Sequence, residues 1–239
     1  MAASGDILLA CTSPALDAQR VPLDGARVVA VAQTPMTLDD ASTTQTPMPK
    51  EVASITLNAP AQVQPGQLLI ADLITLGGGA PTITAPSGWQ LIRDDISPTT
   101  RQSLYYHFAG SNDATGEWKF SQPVLAQGAV LTLDNVWATD PVDTTSGMTG
   151  PKDQVKAPAL TTADDGDLIL VFYGTDFAFI NPGPTVPDNL IPIVYQQSDP
   201  NPYWILADYQ SKRGDVAEAD SPTPQLYNVA AAQVAIRRR

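Results

Sequence analysis

The sequence predicts an all-β protein: a jelly-roll-like antiparallel β-sandwich with two similar halves, preceded by an extended N-terminal arm. Three observations carry that expectation. Residues 166–174 (Gly-Asp-Leu-Ile-Leu-Val-Phe-Tyr-Gly) place a turn glycine before an almost unbroken apolar run. Such a run is too short for a well-supported helix and matches a strand covered on both faces. Residues 65–77 (Pro-Gly-Gln-Leu-Leu-Ile-Ala-Asp-Leu-Ile-Thr-Leu-Gly) repeat it about 100 positions earlier. Third, the segments after the two runs correspond in order: 89–92, 104–108, 117–121 and 129–133 after the first, and 189–193, 203–207, 218–221 and 232–236 after the second. Two copies at this period are too few to stack as a solenoid, so one domain with halves at about 51–140 and 155–239 is expected.

Taken in order, residues 1–50 read as an arm. Apolar bursts at 7–10 and 28–31 are separated by Pro, Asp and Gly, and 39–50 reads as an extended Thr- and Pro-rich linker. Residues 51–57 alternate, with Ile55 and Leu57 on an apolar face, as in a half-exposed strand. Three glycines at 77–79 and Pro81 end the first central strand. Ala-Pro-Ser-Gly-Trp at 85–89 is a turn anchored by Trp89. Residues 104–108 and 116–121 read as a hairpin-like pair joined by the polar stretch 110–114. Asp140-Pro141 stops the strand over 131–136, and 139–158, rich in Thr, Gly, Pro and Lys, connects the halves. The Ala-rich segment 228–236 has helical propensity, but its match to 129–133 makes it a strand.

With 239 residues, 43% of them apolar, the chain can bury a large core. Charged residues are only 16%, against roughly 25% in an average soluble protein. A net charge of −12 argues against nucleic acid or an anionic membrane as partner, since both demand a concentrated basic surface. Three of the thirteen basic residues are Arg237, Arg238 and Arg239, a tail that either meets an acidic neighbouring subunit or is simply solvated. The single cysteine, Cys11, excludes an intramolecular disulfide. No run is long and apolar enough to span a bilayer as a helix, and residues 1–10 lack the pattern of a secretion signal, so synthesis in a cytosol is expected.

Residue chemistry gives catalysis little support. The one histidine, His107, lies inside an aromatic strand, and no Gly-x-Ser-x-Gly elbow exists to pair with it. A zinc site lacks His and Cys ligands, and the phosphate-cradling Gly-x-x-x-x-Gly-Lys loop is missing. Asp94, Asp95, Asp164, Asp165 and Asp167 read as turn and strand-edge residues rather than a paired-acid centre, and the spacing of an EF-hand is absent around 164–167. Neither cofactor nor metal is expected. Aromatic side chains remain: Trp118, Trp137, Tyr203 and Trp204 are candidates for stacking on the CH face of a sugar, with packing in the core as the plainer reading.

Pro-Gly-Gln-Leu-Leu-Ile at 65–70, Pro-Ser-Gly-Trp at 86–89, Tyr-Tyr-His-Phe at 105–108, Glu-Trp-Lys-Phe-Ser at 117–121 and Asp-Pro-Val-Asp at 140–143 together give the chain a resemblance. It resembles the β-sandwich domains of bacteriophage virion structural proteins, of the capsid-decoration, head-fibre or tail-fibre type. The likeness covers about 51–239; the second half departs from it, with Asn189 in the place of Trp89 and Asp-Pro-Asn-Pro intruding at 199–202. It implies a non-enzymatic, homo-oligomeric virion subunit, a trimer being one option, made in the host cytoplasm and contacting itself and a major capsid or tail protein. Candidate assembly contacts are the arm residues Ile7, Leu8, Leu9, Val28 and Val29 with Arg237, Arg238 and Arg239. The alternative is a receptor-recognition domain that binds a host glycan.

Overall fold

The two apolar runs become the central strands of two sheets, and each half of the chain builds one of them. The structure is a computed structural model that describes residues 36–45, 51–61, 63–76, 81–110, 115–175, 190–196, 203–210 and 212–239. The first half contributes β1 (Thr37–Gln45), β2 (Val52–Asn58), β3 (Leu68–Leu76), β4 (Ile83–Thr84), β5 (Gln90–Ile96), β6 (Thr100–Phe108) and β7 (Thr115–Asp134). The second contributes β8 (Val142–Ala157), β9 (Leu160–Thr162), β10 (Asp167–Thr175), β11 (Ile191–Gln196), β12 (Tyr203–Gln210), β13 (Gly214–Val216) and β14 (Ala219–Ile236).

Strand order is β1-β7-β3-β6-β5 in the first sheet and β8-β14-β10-β12-β11 in the second, and every pairing is antiparallel. Position by position the orders are the same. Registers agree too: Leu68 pairs with Phe108 and Leu133, and Leu168 pairs with Tyr209 and Ile236. The all-β sandwich and its two similar halves are therefore present. Each sheet comes from one contiguous half, whereas a jelly roll passes strands alternately between its sheets.

Facing residues close the sandwich. Leu68, Ile70, Leu131 and Leu133 of the first sheet meet Leu168, Leu170, Phe172, Val234 and Ile236 of the second in one buried cluster. The central strands meet at sister positions: a Cβ added to Gly174 would overlap Ile74 Cδ1. Glycine there makes room for the isoleucine opposite. At one edge Arg93 of β5 donates to Thr145 Oγ1 of β8 at 2.9 Å, stitching the sheets side to side.

Long strands then fold over to cover the outer faces. The first part of β7 pairs with β2 and β4, and Trp118, Phe120, Ile55 and Leu57 pack on Leu69, Ala71 and Leu73 of β3. In the second half the first part of β14 pairs with the end of β8, and Val155, Ala157, Leu160 and Ala219 pack on Ile169, Val171 and Tyr173. Three apolar layers result, one between the sheets and one outside each.

Four expectations need correcting. Residues 37–45, read as part of the arm with its linker at 39–50, form edge strand β1 along β7, with Met36 buried beside them. Most of 139–158, read as a connection, is β8. Both are rich in Thr and polar residues, which an edge strand tolerates because only one of its sides carries a ladder. Residues 104–108 and 116–121 are not a hairpin: β6 and β7 flank β3 on opposite sides. Finally, Gln90 pairs with Tyr106 as Ile191 pairs with Ala207, so it is buried Leu190, not Asn189, that stands in the place of Trp89.

Candidate functional site at the junction of the halves

The chain leaves β7 through Asn135, whose φ of 58° reverses its direction. It then meets the chain's last residues. Val136 pairs with Arg238, Trp137 N donates to Arg237 O at 3.1 Å, Arg239 N donates to Asn135 O at 2.8 Å, and Arg237 N donates to Pro141 O at 2.8 Å. The arginine tail is thus a short ribbon strand against the inter-half connection. Arg237 is therefore partnered within the chain, Arg238 is partly buried and Arg239 is exposed.

Arg237 is the centre of this junction. Its Nε donates to Asp164 Oδ2 at 2.7 Å, its Nη2 to Asp143 Oδ1 at 2.8 Å, and its Nη1 to the Asp140 carboxylate and to Val142 O at 3.0 Å. A planar fork of five N–H donors serves three carboxylates and the Val142 carbonyl at once, one acceptor more than the three donors of a lysine could meet. Burial works against its charge, but the hydrogen bond to Asp164 and the charges of Asp140 and Asp143 outweigh it and raise the guanidinium pKa. Asp143 has its side chain buried, so the ion pair there is the shielded one; Asp140 and Asp164 are exposed.

Asp167 opens β10 beneath this group and is fully buried. Burial first, then the hydrogen bond and charge of Asp143 and the charge of Asp164, push its pKa up to about 7, against a lowering by Arg237. Neither Asp167 oxygen meets a donor, and protonation of Asp167 itself supplies the hydrogen for the bond with Asp143. The four acids at 140, 164, 165 and 167 diverge: Asp140 and Asp164 bind Arg237, Asp165 Oδ1 accepts from Arg213 N at 2.7 Å, and Asp167 points inward. Among the described residues no group of three or more His, Cys, Asp or Glu side chains is placed to hold a metal.

Beside the cluster lies a cleft of about 370 Å³ lined by Trp137, Asp140, Asp164, Asp165, Arg237 and Arg238. Trp137 is 50% exposed, and its Nε1 donates to Thr139 Oγ1 at 2.9 Å, which fixes the indole. The fold thereby joins residues the sequence had put in separate groups: Trp137 among the aromatic candidates, Arg237 and Arg238 among the assembly candidates. Asp140 and Asp143 were missed as site residues. Their only sign was the Asp-Pro-Val-Asp run, and nothing in it points to an arginine more than 90 residues away.

The other candidates do not join the cleft. Trp118 is fully buried, packed edge-on to Trp89 with ring centroids 5.1 Å apart, so it offers no face to a sugar. Tyr203 and Trp204 lie on β12 opposite Gly174 and Tyr173, at the far end of β10 from Asp167, and their side chains lie outside the described residues. Ile7, Leu8, Leu9, Val28 and Val29 also lie outside them. His107 sits beside Trp89 with Nδ1 3.1 Å from Gly88 O, a packing role. Asp94 and Asp95, expected as solvated turn residues, are half-buried on β5, where they pair with Arg101 and Arg93. No family model, no curated protein and no solved structure matches the chain.

Proposed function

We propose that this protein is a non-enzymatic structural subunit of a bacteriophage virion, a homomultimer displayed on the capsid or tail and attached through the segment that precedes Met36. The observation that supports this reading is the self-sufficiency of the body. All three apolar layers are filled by the described chain itself, and Ile74 packed into the space at Gly174 leaves no room for a ligand between the central strands. A body so closed is a rigid spacer, and its interactions fall to its ends and edges. The expectation of a clip comprising residues 1–50 is narrowed here to 1–35, because 37–45 belong to the first sheet. The apolar bursts at 7–10 and 28–31 would bury area on a neighbour at roughly 25 cal/mol per Å², before the entropy of ordering is subtracted.

The test compares the full chain with residues 36–239. The shorter chain is expected to unfold as cooperatively as the full one, to sediment as a monomer where the full chain is multimeric, and to be missing from purified particles. A shorter chain that still joins particles at normal occupancy would refute the clip.

A further inference from the structure

We propose that the Trp137 cleft is a binding site for a neutral saccharide. A flat indole face is exposed at the wall of an open cavity, and the hydrogen bond from Trp137 Nε1 to Thr139 Oγ1 at 2.9 Å holds that face in place before any ligand arrives. Among the described residues the exposed large apolar side chains are Leu91, Ile96, Trp137 and Ile191, so Trp137 is the one exposed aromatic in that group. The CH face of a pyranose stacks on such a ring, and pre-fixing the ring removes an ordering cost that binding would otherwise carry.

The polar lining selects the class of ligand. Asp140 and Asp164 each give an oxygen to Arg237, which partly compensates their charge, and Asp165 gives one to the backbone Arg213 N, so all three acids are already held. What they can turn to the cleft is acceptor capacity on the remaining oxygens, which suits sugar hydroxyl donors. Three carboxylates and a chain of net charge −12 oppose an anionic ligand. Arg237 and Arg238 line the same cleft and oppose a cationic one. Arg237 directs its donors at the body, so it cannot serve as an anion clamp. An uncharged polyol with an apolar face fits all of these constraints, and a volume of about 370 Å³ holds one or two hexose units. The site has no counterpart in the internal duplication, because it forms only where the connection between halves meets the chain's last residues.

The experiment uses the full chain on an array of neutral oligosaccharides of glucose, galactose, mannose and N-acetylhexosamines, with uronic-acid, sialylated and sulfated members alongside, followed by calorimetric titration of the strongest neutral binder. Trp137→Ala is expected to weaken that binder by about tenfold or more and Trp137→Phe by much less, since a ring is retained. Asp165→Asn keeps a carbonyl for Arg213 N and is expected to weaken it about threefold to tenfold. All three variants alter exposed groups, and an unchanged melting curve verifies that each is folded. A silent array overturns the proposal. So do binding that ignores Trp137→Ala, a preference for the anionic sugars, and capture of oligolysine or oligoarginine through Trp137 in place of sugar. None of these results bears on particle attachment through residues 1–35.

Discussion

The two sheets share strand order and register but fill the space over their outer faces in different ways. In the first half Trp118, opposite Ile55 in the ladder, fills that space with an indole packed against Trp89 and Tyr105. Gly116 is required beside it, because a Cβ there would lie 2.7 Å from the Trp118 ring. At the equivalent point of the second half Ser221 stands opposite Val155, and Ala219 takes the place of Gly116. The lost volume is supplied from below: Tyr173 of β10 rises where β3 has Leu73, and its hydroxyl donates to Ala219 O at 2.9 Å. Gln233 occupies the position of Val130, and its Nε2 donates to the carbonyls of Pro158 at 2.9 Å and Ala217 at 3.0 Å. One half is fastened by aromatic packing, the other by packing plus hydrogen bonds. A small cavity persists at the same place in both, about 70 Å³ beside Trp89 and His107 and about 140 Å³ beside Leu190 and Asp208. A duplicated backbone evidently constrains which positions face inward more than it constrains what fills them.

That contrast predicts unequal responses to truncation. Trp118→Ala should destabilise the protein by about 3–5 kcal/mol, since a fully buried indole is removed and neighbours on paired strands cannot collapse into its space. Tyr173→Phe keeps its ring and loses one hydrogen bond, so about 1 kcal/mol is expected. Urea unfolding of both variants checks the pair; similar costs would mean that the two outer layers are not held differently.

The junction adds a difference in pH response, because Asp167 has as its first-half sister the uncharged Gln67. Its folded pKa, about 7, lies above its ordinary value of 3.8. The folded state therefore keeps a proton that the unfolded chain has given up. Stability from this group is highest below pH 4, falls as pH rises from about 4 to 7, and is flat above. Asp167→Asn should flatten that decline, matching the wild type below about pH 4 and exceeding it at pH 8 by on the order of 4 kcal/mol. Thermal melts across pH 5–8 give the answer; parallel curves for the two proteins would show that Asp167 does not titrate in this window.

How much was legible in the sequence depended on whether a strand had one neighbour or two. Residues 68–76 and 167–175 are covered on both faces and paired on both edges, so apolar content alone revealed them. The match of 129–133 to 232–236 followed from their order after those runs, whereas 104–108 was set against 203–207 and the registers place it against 205–209, two residues on. The strands β1 and β8 were hidden because each pairs on one side only, and Thr, Ser and Gly there look like linker composition. Candidate site residues were less readable still. Trp137 and Arg237 were each noticeable as residue types, but their meeting depends on β7 and β14 ending side by side, and Asp143 gained its role only from a partner far along the chain. Trp118 follows the plainer of its two readings, packing in the core, because the folded-over part of β7 turns Gly116, Trp118 and Phe120 onto β3 and leaves Glu117 and Lys119 outside.

The central claim is that sister strands β3 and β10 face each other across the sandwich at Ile74 and Gly174. A double-mutant cycle in urea unfolding tests it most directly. Gly174→Ala in a strand would ordinarily be neutral or slightly stabilising, but here it should cost on the order of 2 kcal/mol by driving a methyl group into Ile74. With Ile74→Ala also present that cost should vanish, giving a coupling of at least about 1 kcal/mol. Additive effects of the two substitutions would mean that the central strands do not meet there, and the face-to-face arrangement of the halves would be wrong.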